Sequence, residues 1–423
     1  MNDKPIVLAY SGGLDTSVLL KRFLLDGYDV IALTADLGES DAIAGGGAAA
    51  ALHAVKAKAL ALGARDAVLV DAKARFIDDF AQKALHANAL YEGVYPLSAA
   101  LSRPLIAHLL VETAHAKGAT VVAHGCTGKG NDQVRIELGV RALDPQLVCR
   151  APLREQPLSR PDAIAFAKEH GVPIAHTQDK PYSIDANLWG RSIEAGVLED
   201  PWNAPPEDAY AWTAPPAARP AQPDEVVIEF EHGVPQWNRL DGWEMVAQLN
   251  VLAGKHGIGR IDLVEDRVIG MKSREVYECP ASTVLIAAHK ALERLVLTRD
   301  ELRFKALCDQ RYSELIYDGL WMSPLRGALD AFNASLADRM IGKVRLSLNQ
   351  GVATVTGTQS PFGLYSEALA TYGKGDAFDH DAAEGFIKLH GLPTELVARV
   401  TAPPPFDKAQ DSGASHLRQE VTT

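Results

Sequence analysis

Cysteine is scarce in this sequence. The 423 residues contain four cysteines, Cys126, Cys149, Cys279 and Cys308, and no two of them form a C-x-x-C pair. Zinc sites and disulfide frameworks depend on closely spaced or numerous cysteines, so the sequence argues against both. We expect the four thiols to be structural.

Long apolar runs and basic clusters are also absent. No apolar stretch reaches about 18 residues, so we expect no membrane span. Asn2, Asp3 and Lys4 precede the first apolar segment and do not form a signal peptide. The formal net charge of −12 disfavours a nucleic-acid partner, because phosphate backbones attract basic surfaces. These absences predict a cytoplasmic protein that acts on small molecules.

The composition is that of a globular protein, with 47% hydrophobic and 23% charged residues, and the length allows two domains and a tail. Up to residue 172, short β-rich runs alternate with amphipathic stretches of helical spacing. This alternation predicts an α/β fold with a doubly wound parallel sheet, which binds ligands at the carboxyl ends of its strands. The predicted strands are Ile6–Tyr10, Val30–Ala35, Ala67–Val70, Thr120–His124 and Leu147–Arg150.

The stretch VLAYSGGLDTSVLLKRFL passes from an apolar strand through two glycines into a helical pattern. The first N–H groups of a helix lack partners and lie at the positive end of its dipole, so this turn can bind an anion. Gly12 and Gly13 let the backbone approach a ligand closely, while Ser11, Thr16 and Ser17 add hydroxyl groups. An ordinary βα turn capped by Thr16 or Ser17 is the alternative.

Asp15 favours a phosphate site over the plain turn. A carboxylate beside a phosphate would repel it unless a Mg²⁺ ion lay between them. The segment has no Walker A pattern. As a whole, SGGLDTS between a strand and a helix resembles the pyrophosphate loop of the ATP pyrophosphatase families, which split ATP into AMP and pyrophosphate. The resemblance implies that the loop holds the β- and γ-phosphates and that the substrate becomes adenylylated.

A second glycine-rich segment, AHGCTGKGNDQVRIE, includes the end of the fourth predicted strand and continues at the same edge of the sheet. Thr127, Lys129, Asn131 and Arg135 offer donors for carboxylates, and Asp132 offers an acceptor for an ammonium group. The segment is therefore able to contact carboxylate and ammonium groups of a ligand. A solvated βα loop is the alternative interpretation.

The composition changes after the predicted sheet. Residues 200–223 include seven prolines, which predict a long surface connection. Beyond it, strands such as EVVIEFEHG, a helix near Ser282–Leu297 and a hairpin turning at Asn349–Gly351 predict an α+β domain. We therefore expect a nucleotide-binding domain over residues 1–172, an α+β domain over 173–395 and a C-terminal tail over 396–423.

The chain resembles the argininosuccinate synthase family, whose members join citrulline to aspartate with ATP. The likeness rests on five segments in order: SGGLDTS, HGCTGKGNDQVR, PYSIDANLWGRSIEAGVLEDPW, GKHGIGRIDLVEDRVIGMKSREVYECP and FDHDAAEGFIKLHGLP. It implies that the α+β domain is a synthetase domain that helps to bind citrulline and aspartate. It also implies a homotetramer in which the C-terminal tail reaches a neighbouring subunit.

The resemblance assigns residues to each substrate, with Asn131 between citrulline and aspartate. Read singly, Glu265 could be an exposed strand residue and Tyr277 a half-buried aromatic. The implied ATP-binding residues are Ala9, Tyr10, Ser11, Gly12, Gly13, Leu14, Asp15, Thr16, Ser17, Ala35 and Gly125. The implied aspartate-binding residues are Thr127, Asn131 and Asp132, and the implied citrulline-binding residues are Tyr95, Asn131, Arg135, Ser183, Ser192, Glu265 and Tyr277.

The implied reaction has two steps. The ureido oxygen of citrulline attacks the α-phosphorus of ATP and releases pyrophosphate, and the aspartate amine then displaces AMP from the citrullyl-adenylate. Neither step needs a covalent enzyme nucleophile, so catalysis is expected from positioning and charge neutralisation. Mg²⁺ held by Asp15, the loop amides and Lys129 are the candidates for neutralising the departing pyrophosphate.

The sequence departs from the family ahead of its SRP motif. It reads YPLSAALSRP, with Ala99 and Ala100 where members often carry hydroxyl groups. One citrulline contact is therefore missing or comes from Ser98 or Ser102. This departure leaves open a ligase of the same fold that adenylylates another ureido or amide acceptor. A non-catalytic nucleotide sensor is a second alternative, against which the intact Asp15 and the complete second segment argue.

Overall fold

The computed structural model describes residues 4–39, 48–173, 182–373 and 375–401. Most of the predicted C-terminal tail lies outside the described residues. The chain divides into two compact units, Met1–Leu364 and Tyr365–Thr423. The domain boundaries expected after residues 172 and 395 stay predictions.

A parallel five-stranded sheet forms the N-terminal part of the first unit. Its strand order is β3-β2-β1-β4-β5, and Ile6 on the central strand lies opposite both Val30 and Val121. The arrangement confirms the predicted α/β fold, because the order reverses direction beside the first strand as in doubly wound sheets. The strands are β1 (Pro5–Ala9), β2 (Asp29–Asp36), β3 (Asp66–Asp71), β4 (Val121–Ala123) and β5 (Val148–Arg150).

Apolar layers cover both faces of this sheet. Successive strand residues point to opposite faces, so Ile6 packs in one core with Val18, whereas Val7 packs in another with Leu105. The helices that supply these layers and their connections are α1 (Leu14–Leu25), α2 (Ala48–Ala61), α3 (Lys73–Phe76), a π-helical stretch (Ile77–Ala81), α4 (Gln82–His86), α5 (Ser98–Lys117), α6 (Asp132–Leu143), α7 (Pro152–Glu155) and α8 (Arg160–Glu169).

Two antiparallel sheets follow in the first unit. One has the order β10-β11-β7-β6 and the other β13-β12-β8-β9. The predicted hairpin is confirmed, since its strands pair Asn349 with Val352 across the turn. The strands are β6 (Ser183–Asn187), β7 (Gly190–Glu194), β8 (Asp224–Glu231), β9 (Val234–Gln236), β10 (Arg260–Asp266), β11 (Lys272–Glu278), β12 (Gly342–Asn349) and β13 (Val352–Gln359).

Four α-helices belong to the described residues of this part, and the second of them packs on β12 and β13. The predicted helix near Ser282–Leu297 is confirmed within two residues of its bounds, and the next helix begins with a capping box between Thr298 and Glu301. None of the helices in the described ranges is long and apolar enough to cross a membrane. The four helices are α9 (Gly242–Lys255), α10 (Pro280–Val296), α11 (Arg299–Tyr317) and α12 (Pro324–Ala337).

The proline-rich connection differs from the prediction of a purely surface segment. It contains short 3₁₀ turns at Glu207–Ala209 and Pro216–Ala218, and the side chain of Trp212 is buried. The reason is Glu278, a fully buried carboxylate that accepts hydrogen bonds from the Trp212 N–H at 2.8 Å and from the Thr213 N–H at 2.9 Å. A buried carboxylate needs such donors, so these hydrogen bonds hold the segment against the protein interior.

One of the apolar cores of the first unit joins the parallel sheet to the antiparallel sheets. Val7 of the parallel sheet, Leu105 of α5, Trp189 near β7 and Leu285 of α10 belong to the same cluster of buried residues. Close packing makes such a core resist deformation. The parallel and antiparallel sheets therefore hold the loops between them in a fixed geometry.

The second unit is mainly one long helix. It contains α13 (Glu367–Ala370) and α14 (His380–Thr401). Phe386, Leu389, Leu396 and Val400 are exposed on α14, at spacings that place them along one side of a helix. Among the residues of this unit that the structure describes, 365–373 and 375–401, nothing covers that apolar stripe.

Candidate active site

The first loop (residues 10–13) joins β1 to α1 at the carboxyl edge of the parallel sheet. Gly12 has a φ of +77°, and a Cβ atom there would lie 2.9 Å from a methyl carbon of Val55. Only glycine fits this position without strain. Gly13 precedes α1, and no side chain caps this helix start. The first N–H groups of α1 therefore remain available to an anion.

A cavity of about 450 Å³ opens at this loop and extends over the ends of β1 and β2. Its walls combine apolar side chains with the hydroxyl groups of Ser11 and Thr16, which suits a nucleotide. Ser17 is instead buried beneath the loop, where its hydroxyl group contacts the Tyr10 hydroxyl at 3.1 Å and donates to the Gly12 carbonyl at 3.4 Å. The predicted ATP-binding residues that line this cavity are Ala9, Tyr10, Ser11, Thr16, Ala35 and Gly125.

A second cavity of about 500 Å³ lies between the parallel sheet and the β10-β11-β7-β6 sheet. Every residue that the resemblance assigns to citrulline or aspartate lines it, together with Gly13, Leu14 and Asp15 of the ATP-binding set. The predicted side chains that the fold brings together here are Tyr95, Thr127, Asn131, Asp132, Arg135, Ser183, Ser192, Glu265 and Tyr277.

Arg135, on α6, is one of three arginines among the described residues that line the second cavity. Its side chain is only 5% exposed, its Nε donates to the Tyr317 carbonyl at 2.9 Å and its Nη1 donates to Asp132 at 3.1 Å. The remaining nitrogen, Nη2, is buried and has no hydrogen-bond partner in the described part of the chain. A buried guanidinium donor without a partner is costly, and a bound carboxylate would satisfy it.

Glu265, on β10, is a buried anion in the same cavity. It is 2% exposed and accepts hydrogen bonds from the hydroxyl groups of Tyr277 at 2.6 Å and Tyr317 at 2.5 Å. Burial raises the pKa of Glu265, and the two phenol hydrogen bonds oppose that rise. Tyr277 in turn stacks on Tyr95 with ring centroids 3.8 Å apart. These aromatic side chains fix the direction of the carboxylate.

Asp132 carries a carboxylate that is already paired. It accepts a hydrogen bond from Arg103 at 2.8 Å as well as the one from Arg135. Burial acts to raise the pKa of Asp132, but the two guanidinium groups outweigh it and lower that pKa. An ammonium group at Asp132 would therefore share the carboxylate with two arginines.

Several site residues escaped the sequence interpretation. Arg103 lines both cavities and also donates to Asp185 at 2.7 Å, and its place in the SRP motif was a signal that could have identified it. Tyr317 lines the second cavity and stacks on Tyr91, but nothing in its local sequence marks it. Arg267 is the third, in the turn between β10 and β11, and it also faces the second cavity.

Arg267 pairs with Glu194 and Glu275; the side chains of Arg267 and Glu275 are nearly buried, whereas that of Glu194 is 40% exposed. Burial and then the neighbouring Glu194 carboxylate raise the pKa of Glu275 to about 8, and Arg267 acts in the opposite direction. The guanidinium of Arg267 pairs with both acidic side chains, with Glu194 at 2.5 Å and with Glu275 at 2.7 Å. Such pairing lets the buried Arg267 and Glu275 lie close together.

The structure does not bring Lys129 to either cavity. Lys129 is exposed at the tip of the second loop (residues 125–131), and its side chain does not line either cavity. Its catalytic role stays a prediction.

The missing hydroxyl group ahead of the SRP motif is not replaced by a neighbouring serine. Ala99 lines the second cavity, whereas Ser98 is buried against the Tyr95 hydroxyl and Ser102 accepts a hydrogen bond from Arg103. Neither serine lines the second cavity in place of the missing hydroxyl.

Asp15 has the chemistry of a magnesium ligand. It is exposed to the second cavity beside the first loop, and Mg²⁺ prefers one or two carboxylates together with substrate phosphates. The described ranges contain no group of three or more His, Cys, Asp or Glu side chains that could hold a metal ion. Asp15 therefore fits an ion whose other ligands come from a nucleotide and water.

Comparison with known proteins gives one consistent result. Residues 5–173 match the arginosuccinate synthase N-terminal HUP domain, and residues 182–397 match the arginosuccinate synthase C-terminal domain. The argininosuccinate synthase of Gloeobacter violaceus is 52% identical over 95% of this chain and 100% of its own length. That of Geobacillus thermodenitrificans is 53% identical over 94% of this chain and 96% of its own length. The chain therefore belongs to the argininosuccinate synthase family, ATP-dependent ligases that condense citrulline with aspartate.

Proposed function

We propose that the first cavity binds ATP and that the second binds citrulline and aspartate. The observation that carries this assignment is that Arg135, whose buried Nη2 lacks a hydrogen-bond partner among the described residues, lines the same cavity as the buried carboxylate of Glu265. An α-amino acid presents a carboxylate and an ammonium group, which these two side chains complement. Tyr317 links them, since its carbonyl accepts from Arg135 and its hydroxyl group donates to Glu265.

The residues of the first loop would hold the departing pyrophosphate. The uncapped N–H groups of α1 stabilise negative charge there, and Mg²⁺, held by Asp15, supplies further neutralisation when it is bound. Arg103 faces both cavities, where the α-phosphate must meet the ureido oxygen of citrulline. Its two carboxylate partners hold it at that junction.

A ligase with another ureido or amide acceptor is not favoured. The relatives that match nearly the whole chain at 52–53% identity are argininosuccinate synthases. The Ala99–Ala100 departure therefore changes the surroundings of Tyr95 and leaves the reaction intact. Retention of Asp15 and of the second loop also speaks against a non-catalytic sensor.

Replacing Thr127 by valine should impair aspartate use while sparing adenylate formation. Thr127 is exposed to the second cavity, and the change removes one hydroxyl group at nearly constant volume. A lost hydrogen bond to a charged group typically costs about 1.5–3 kcal/mol, so we expect kcat/KM for aspartate to fall about 10- to 150-fold. The measurements are citrulline-dependent exchange of labelled pyrophosphate into ATP and the synthesis of argininosuccinate.

Thr120→Val is the matched control, because Thr120 is exposed just before β4 and does not line either cavity. Thr127 is a cleaner target than Asp132, whose removal would also leave Arg103 and Arg135 without a shared partner. If exchange and synthesis declined together in the Thr127 variant, the second loop would be serving ATP or citrulline and its assignment to aspartate would be lost.

The second unit would mediate assembly into a homotetramer. The apolar stripe on α14 gives a surface that a neighbouring subunit can cover. Replacing Leu389 and Leu396 together by aspartate should lower the mass measured by light scattering, with circular dichroism per subunit nearly unchanged. Lys388→Ala is the control, since this lysine pairs only at the surface with Glu384. An unchanged mass in the double variant would show that the stripe is not an assembly surface.

A cytoplasmic location completes the proposal. All four cysteines are free thiols, as is usual in reducing compartments. Fractionation of the producing cells, followed by activity measurement, tests this location.

A further inference from the structure

Arg267 connects the second loop to the antiparallel sheet. Its side chain is 11% exposed and is held by Glu194 of β7 at 2.5 Å and by Glu275 of β11 at 2.7 Å. Two carboxylates from different strands leave the planar guanidinium little freedom. The arginine is therefore a fixed point on the second sheet.

From this fixed point, the turn between β10 and β11 contacts the second loop twice. Nη1 of Arg267 donates to the Lys129 carbonyl at 3.0 Å. The next residue, Val268, donates its N–H to the Asn131 side-chain oxygen at 3.0 Å. Asn131 in turn donates to the Tyr317 hydroxyl at 2.9 Å. The two contacts hold the loop on both sides of Gly130.

The second loop has little other support at its tip. Thr127, Gly128 and Lys129 are all exposed, although Gln133 donates to the Gly128 carbonyl at 2.6 Å. Exposed segments with few contacts open most readily. The hydrogen bond from Arg267, which is buried and paired with two acidic side chains, therefore stabilises this loop more than it would stabilise a packed strand.

We propose that Arg267 is a positioning residue, which holds the second loop in its aspartate-binding geometry by anchoring the Lys129 carbonyl to the antiparallel sheet. This inference rests on the proposed assignment of that loop to aspartate. Because Arg267 acts through the loop backbone, its loss should weaken aspartate use more than adenylate formation. The amine must approach the adenylate in a narrow range of geometries, so a small displacement of the loop reduces the rate.

Arg267→Lys is the informative variant. Lysine keeps a positive charge for Glu194 and Glu275, but it cannot present the planar fork that also reaches the Lys129 carbonyl. We expect the midpoint of thermal unfolding to stay within about 3 °C of the wild type. We expect KM for aspartate to rise about 10-fold or more, with citrulline-dependent pyrophosphate exchange changed by less than about twofold. Arg267→Met, which removes every donor, should show at least the same rise in KM.

Trypsin provides a readout that does not depend on activity. The peptide bond after Lys129 contains the carbonyl that Arg267 holds, and trypsin can attack it only when the loop opens. Mass spectrometry should show cleavage after Lys129 about 10-fold faster in Arg267→Lys than in the wild type, because cleavage tracks the population of the open form. Saturating aspartate together with ATP and citrulline should slow this cleavage.

Arg274→Lys is the matched control. Arg274 lies on β11, pairs with Asp262 at 2.7 Å and donates to the Asp200 carbonyl at 2.9 Å, but it does not line the second cavity. It should leave KM for aspartate and cleavage after Lys129 unchanged.

The proposal is overturned if Arg267→Lys changes neither KM nor cleavage, or if it reduces exchange and synthesis equally. Thr127→Val in the same assays separates this failure from failure of the loop assignment. A selective aspartate defect in Thr127→Val, with none in Arg267→Lys, would refute only the positioning role of Arg267.

Discussion

Replacing Asp15 by asparagine will nearly abolish turnover. The carboxylate lies beside the first loop, where the departing pyrophosphate is proposed to bind, and a proposed ligand to Mg²⁺ there would contribute more in the transition state than in the ground state. The variant should lose at least about 100-fold in kcat, whereas its affinity for ATP should fall by a smaller factor. Steady-state kinetics and calorimetric titration with ATP and Mg²⁺ measure the two quantities.

Asp26→Asn is the matched control, because Asp26 lies at the other end of the same helix. It should leave kcat within about twofold of the wild type. If Asp15→Asn kept more than about a tenth of wild-type turnover, the loss would be under about 1.4 kcal/mol. Asp15 would then serve only to stabilise the start of α1.

Arg135→Leu should impair both half-reactions, and synthesis at least as much as exchange, because Arg135 also pairs with Asp132. Citrulline is needed for adenylate formation, and its α-carboxylate is the proposed partner of the unsatisfied Nη2. Truncating one member of a buried charge pair typically costs about 2–5 kcal/mol, so kcat/KM for citrulline should fall at least about 30-fold. Arg135→Lys should recover part of this loss, since it keeps the charge without the second donor. The measurements are pyrophosphate exchange and argininosuccinate synthesis across a citrulline titration.

Arg141→Leu tests whether any loss of charge on α6 has the same effect. Arg141 is 69% exposed and lies 3.7 Å from Glu137, so the control variant should leave pyrophosphate exchange and argininosuccinate synthesis nearly unchanged. If Arg135→Leu affected aspartate use while exchange stayed normal, citrulline would not bind at Arg135. The two amino acids would then have to exchange places in the second cavity.

The parts of this protein that were readable from sequence are those encoded by neighbouring residues. The first loop combines a strand, a glycine that must adopt a positive φ and a helix start within one short segment. The hairpin at Asn349–Gly351 is likewise specified by its own turn residues. Local patterns such as these predict both the parallel sheet and the edge at which ligands bind.

Contacts between distant residues could not be predicted in the same way. The bond from Arg135 to the Tyr317 carbonyl joins residues 182 positions apart, and no periodicity connects them. Arg267 pairs with carboxylates on two strands and donates a hydrogen bond to a loop of the N-terminal part, and none of these partners is near it in a repeating sequence pattern. The buried Glu278 similarly draws in a proline-rich segment that composition alone assigns to the surface. These features depend on tertiary packing.

The wall shared by the two cavities has a consequence for the fate of the intermediate. Arg103, Gly125 and Asp185 border both spaces, so an adenylated citrulline would extend from one into the other while remaining bound at its nucleotide end and its amino-acid end. Escape then requires both ends to detach at once, and either end rebinds quickly while the other is still bound. Under the proposed assignment of the two cavities, the protein would retain this water-sensitive intermediate by two-ended attachment until the second amino acid arrives.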